Sequence, residues 1–206
     1  TNHMIALAPN SAPLFNDRGL ANVKLKKYGL AFADFSKAVE LNPRYFEAYH
    51  NLGIMYTTRG EDDKAIAEYD KSLRINPKYI KALESRGRIF LARGQFNAAL
   101  SDYNSAIKIN PEFVDAINSR GNLFEKKGQL DLALADFNMA VSINPKYFYS
   151  YYNRANIYMT RGDFAKAISD YDKALQLNPK FADAYNNRGN CFRRLGKYDL
   201  AISDFD

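Results

Sequence analysis

Histidine and cysteine are the side chains most often recruited for acid–base and nucleophilic chemistry near neutral pH. Here they are scarce: the chain holds His3, His50 and a single cysteine, Cys191. Neither histidine stands in a fixed motif. There is no HExxH, no GxSxG and no phosphate-cradling glycine loop. One cysteine allows no intramolecular disulfide and no cysteine metal cluster, and does not decide a compartment. The sequence is expected to encode no enzyme, no cofactor site and no metal site.

Two other residue types recur with a spacing that means something. Arg18, Arg86, Arg120, Arg154 and Arg188 are each followed sixteen residues on by Asp34, Asp102, Asp136, Asp170 and Asp204. Leu52 and Glu68 break both halves of the series together. A row of arginines could bind carboxylate or phosphate groups. Joint loss favours the alternative, a bidentate ion pair joining two helices, within a repeat or between neighbours. The second type is asparagine, whose amide offers both a donor and an acceptor and so can pair with any peptide backbone.

These residues sit in a repeat. Pro9, Pro43, Pro77, Pro111, Pro145 and Pro179 are spaced by 34, and Asn42, Asn76, Asn110, Asn144 and Asn178 precede five of them. Proline bars its predecessor from the α region, so one helix ends there in each period. Gly60, Gly94, Gly128, Gly162 and Gly196 mark a second stop, four of them after Arg59, Arg93, Lys127 and Arg161. A cation in the last turn followed by glycine ends a helix. Each period therefore reads as two helices of roughly 14 residues. Small residues recur where backbones must approach, at Gly19, Gly53, Gly87, Gly121, Ala155 and Gly189 and at Ala31, Ala65, Ala99, Ala133, Ala167 and Ala201. A single such pair cannot bury its own apolar face, and stacking solves this. Cys191 shares a register position with Met55, Ile89, Leu123 and Ile157 and reads as a buried apolar residue.

Small residue, aromatic, alanine, aromatic, alanine and proline over 34 positions resembles the tetratricopeptide repeat. In the second unit Tyr49, Leu52, Gly53, Tyr56, Ala65, Tyr69, Ser72 and Pro77 stand at signature positions, with the usual tryptophan replaced. The resemblance implies an all-α, right-handed superhelical solenoid of antiparallel helix pairs. Its units are 12–45, 46–79, 80–113, 114–147, 148–181 and a cut sixth, 182–206. Residues 1–11 read as the end of a preceding repeat, seen in Met4–Pro9, or as tag-derived residues around His3-Met4.

By the same resemblance, first helices line a concave face through positions two, five, six, nine, twelve and thirteen of each unit. The ligand contacts expected there are Asn51, Asn118, Asn122, Lys126, Tyr149, Tyr152, Asn153, Asn156, Asn186, Asn187, Asn190 and Arg194, mostly in the fourth to sixth units. The implied function is protein–protein interaction, with a partner's extended or helical peptide held in the groove. The tyrosines read either as ligand contacts or as packing, and the asparagines either as backbone readers or as a solvated polar face.

Composition bounds the rivals. The chain is 47% hydrophobic and 25% charged, that of a folded protein, and no apolar run reaches the roughly 18 residues of a membrane span. Net charge is +6 with a pI near 9.2, which raises an RNA-binding helical repeat as an alternative. The first-helix face, however, carries six basic residues against six acidic ones, and nucleic acid needs a basic track. By the resemblance, Asn51 and Lys81 fit two of the positions with which family members grip acidic chaperone tails, but His50, Ile54 and Ser85 stand where Lys, Asn and Arg would be expected. Self-association through exposed repeat ends, or service as a regulatory module of a longer enzyme, are the remaining alternatives.

Overall fold

The computed structural model describes residues 8–206; the expectations for His3 and for most of Met4–Pro9 fall outside them. Among the described residues there are twelve α-helices and no strand. They are α1 (Ala12–Lys24), α2 (Tyr28–Leu41), α3 (Phe46–Thr58), α4 (Asp62–Ile75), α5 (Ile80–Ala92) and α6 (Phe96–Ile109), followed by α7 (Val114–Lys126), α8 (Leu130–Ile143), α9 (Phe148–Thr160), α10 (Phe164–Leu177), α11 (Ala182–Arg194) and α12 (Tyr198–Phe205). Odd-numbered helices are the first and even-numbered the second of each pair. The chain divides into two units, one ending at Ile109 and one running Asn110–Asp206, each a stack of three helix pairs.

The turn inside a pair is a double-bonded helix stop. After α3, Gly60 N–H donates to Thr57 O and Glu61 N–H to Tyr56 O, both at 3.0 Å, while Gly60 takes φ +72°. That left-handed backbone is open to glycine without a Cβ penalty. The first pair makes the same turn without glycine: Lys26 holds φ +58°, and Lys27 N–H reaches Asn22 O at 2.8 Å.

Between pairs the stop belongs to asparagine as much as to proline. Asn42 Oδ1 accepts the Arg44 N–H at 3.0 Å, and Asn76, Asn110, Asn144 and Asn178 repeat that bond to the residue two further on. The side chain thus mimics a backbone turn around the proline, which has no N–H of its own to offer.

Close approach fixes the core. A Cβ placed on Gly121 of α7 would lie 2.5 Å from Phe137 Cε1 of α8. Glycine at that point lets the ring lie flat on the backbone, and Phe137, Ala133 and Ala140 are fully buried beneath it. In the second unit Ala155, Ala167, Tyr171, Leu175, Ala184 and Cys191 form one core cluster. In the first unit Ala31, Phe35, Leu52 and Met55 pack together, and Ala65, Tyr69 and Ile89 form another cluster. Cys191 is fully buried, as its register position predicts, and burial pushes its thiol up to about 11.

Candidate functional site

The arginine series joins the two helices of one pair. Arg120 Nε donates to Asp136 Oδ2 at 2.9 Å, and its Nη2 to Oδ1 at 2.7 Å. Arg18–Asp34, Arg86–Asp102, Arg154–Asp170 and Arg188–Asp204 repeat the fork. Three of the arginines reach backwards as well. Arg86 Nη1 meets Asp70 at 2.5 Å, Arg188 Nη1 meets Asp172 at 2.5 Å, and Arg154 Nη1 meets Asn138 at 2.7 Å, each sixteen residues earlier. The five aspartates are buried or nearly so, and the guanidiniums are used up by the chain itself. Their role is structural, and no phosphate-binding row remains.

The first-helix face is divided by the geometry. Positions five and six of successive first helices meet in a seam. Asn51 Nδ2 donates to Asn16 Oδ1 at 2.7 Å, His50 Nε2 and Ser85 Oγ are 3.2 Å apart, and Asn187 Nδ2 donates to Tyr152 OH at 3.2 Å. Each pair is separated by 35 residues, one more than the repeat. That offset was available in the sequence as a signal for polar groups that face one another. Asn118 joins the seam differently, donating to Val114 O and to Ser150 Oγ at 3.1 and 3.0 Å.

Asn51 and Asn118 are buried between helices, so the structure places them in this seam and not on the open face. The reason is helical geometry: the residues that point at the neighbouring first helix are not the ones that point at solvent. In the second unit positions two and thirteen point outward, among them Tyr149, Lys126 and Arg194, which are exposed, while position nine is half-buried.

In the second unit α7, α9 and α11 touch in turn and form one surface. Asn156 Oδ1 accepts from Tyr171 OH at 2.6 Å and from Asn187 Nδ2 at 3.0 Å. Asn190 Oδ1 accepts from Arg193 at 3.1 Å, and Asn186 makes only a long 3.4 Å bond to Asn187. Asn122 and Asn153 are half-buried and make no side-chain hydrogen bond among the described residues. At the N-terminal end of α9 lies an aromatic cluster. Tyr149, 45% exposed, stacks on Phe148 with ring centres 4.1 Å apart and meets Phe181 edge-on at 5.6 Å. Tyr152 packs on Phe181 at 4.7 Å, so it is part packing and part seam.

In the first unit the corresponding face differs. Ile54, Thr57, Ser85, Arg88 and Ile89 line a cleft. His50 is buried against Tyr69 and Tyr79; burial, aided by the Lys81 charge, lowers its pKa to about 4, so it is neutral. Among the described residues no group of histidine, cysteine, aspartate or glutamate could hold a metal ion, and no helix is long and apolar enough to cross a membrane.

Comparison with known proteins places this architecture. Models described as "Tetratricopeptide repeat" match residues 12–45, 46–79, 148–181 and 170–203, and one described as "TPR repeat" matches 87–128 and 121–160. No curated protein sequence matches the chain. Several solved structures share the fold. The PilF protein of Pseudomonas aeruginosa superposes with a TM-score of 0.83 at 18% identity, over 94% of this chain and 88% of that one. A tetratricopeptide repeat protein from Parabacteroides merdae gives 0.72 at 22%, over 94% and 77%. YrrB, described as a TPR protein with an unusual peptide-binding site, gives 0.62 at 22%, over 89% and 94%. With repeats matched over residues 12–79 and 87–203 and helix pairs along the described chain, the chain belongs to the tetratricopeptide repeat family and is a protein-interaction scaffold.

Proposed function

We propose that the face made by α7, α9 and α11 holds a peptide segment of a partner protein. The observation that carries this reading is the pair of half-buried amides, Asn122 and Asn153, which make no side-chain hydrogen bond among the described residues. Their side chains are free to bond, and a guest backbone offers an acceptor for the amide N–H and a donor for the amide oxygen. The exposed Tyr149 ring, held by Phe148 and Phe181, adds a rigid amphipathic contact of the kind enriched at interfaces. YrrB, a structural neighbour, is described as having a peptide-binding site, in keeping with such a use of the fold.

Asn186, Asn187, Asn190, Lys126 and Arg194 frame the same face and are secondary contacts in this reading. The test is selection from a random peptide array against the chain and against Asn122→Ala/Asn153→Ala. That variant removes no bond of the folded chain, so it folds normally, and bound peptides are expected to be lost. Peptides retained at full affinity refute the site. Salt-sensitive binding of RNA in place of peptides would favour the nucleic-acid alternative.

A second reading, self-association, has its own observation. Tyr198, Ile202 and Phe205 of α12, spaced by four and three along one face of the helix, are 64%, 57% and 49% exposed, an apolar strip of the kind that associating surfaces bury. A mass that rises with protein concentration supports it, and a constant monomer mass excludes it.

A further inference from the structure

The carboxylates of the second unit divide cleanly. Asp136, Asp170 and Asp204 are withdrawn from solvent and forked by arginines. Asp115 accepts from Tyr147 OH, and Asp131, Asp163 and Asp172 each face an arginine or lysine. Glu112, Asp183, Asp199 and Asp206 are exposed and have water. Glu125 alone is half-buried and, among the described residues, makes no ion pair and no side-chain hydrogen bond. Its neighbour Lys126 is exposed, and adjacent residues of a helix do not face one another.

Glu125 stands one helical turn beyond Asn122 on the face described above. Its charge is felt at the Tyr171 hydroxyl, which is bonded to Asn156 on the next first helix. Withdrawal from water raises its pKa, outweighing the smaller downward pull of the Lys126 charge, with which it makes no ion pair. An anion held partly out of water, one turn from the open Asn122 amide, is an incomplete ion pair.

We infer that Glu125 selects the ligand, pairing with a lysine or arginine side chain of the peptide bound on the α7–α9–α11 face. This rests on the peptide reading proposed above. The chemistry requires a cation, because a carboxylate only accepts hydrogen bonds, and the Asn122 amide beside it is free to bond the peptide backbone. The ligand class is therefore a peptide with a basic residue at one fixed place.

The experiment uses an array of random peptides with acetylated amino ends, so that only side chains supply positive charge. The intact chain should enrich Lys or Arg at one position of the bound peptides. Glu125→Gln should lose that enrichment and weaken binding of those peptides about tenfold at low salt, with an unchanged or higher melting temperature. Glu125→Lys should prefer Asp or Glu at the same position. No basic enrichment with the intact chain, or the same enrichment with Glu125→Gln, overturns the inference. Peptides lost on Asn122→Ala/Asn153→Ala but selected without charge preference overturn it while the peptide site stands. Peptides indifferent to that double variant, or no bound peptide at all, overturn both.

Discussion

Arg120 and Asp136 face each other as a fork, with two hydrogen bonds of 2.9 and 2.7 Å joining the two helices of one repeat. Asp136 is 5% exposed, so its charge depends on that guanidinium. Arg120→Leu is expected to cost about 3 kcal/mol, the range for breaking one side of a buried pair. Arg120→Leu/Asp136→Leu should recover most of it, because no uncompensated charge remains. Urea unfolding of the three proteins decides; a single variant as stable as the parent would show the fork to be idle.

Gly121 is under the Phe137 ring. Gly121→Ala puts a Cβ 2.5 Å from Phe137 Cε1 and should lower stability by about 1–3 kcal/mol. Adding Phe137→Leu gives the methyl room and should return part of the loss. A thermal melt followed by circular dichroism reads both.

Lys26 occupies a left-handed position that glycine fills in the later repeats. Lys26→Gly relieves the Cβ penalty but frees the unfolded chain, for a net gain of about 0.5 kcal/mol. A lower urea midpoint for Lys26→Gly would show that Lys26 makes a compensating contact.

His50 is neutral in the fold, with a pKa of about 4 against an ordinary 6.5. Below pH 6.5 the unfolded chain takes up a proton that the folded chain refuses. The stability that neutral His50 contributes is therefore complete above pH 6.5 and is lost between pH 6.5 and 4, by at most about 3 kcal/mol. Urea midpoints across that range should fall more steeply for the parent than for His50→Gln, and parallel slopes would contradict the assignment.

Cys191 should be inert to maleimide in the folded protein at neutral pH and react once the chain is unfolded in denaturant. Labelling at the rate of a free thiol under native conditions would mean that the α11 core opens readily.

The repeat was fully legible in the sequence. Proline, glycine and small-residue series at one period specify helix ends and close approaches, which are local matters of φ, sterics and helix register. The Arg–Asp partnership was legible too, since Leu52 and Glu68 depart together, although its two possible geometries needed the coordinates to separate. The role of Asn42 and its equivalents, bonding past the proline, was hidden behind the proline itself.

The proposed ligand face was legible only in part, because a position number says which helix a residue occupies and not how near the next helix comes. Asn51 and Asn122 both fall on the expected face, yet the first is sealed against Asn16 and the second makes no side-chain hydrogen bond among the described residues. Glu125 looked like one charge in a neutral count. That it alone among the second unit's carboxylates is both half-buried and, among the described residues, unpaired is decided by packing, where a few ångströms between neighbouring helices settle which polar groups are satisfied and which are not.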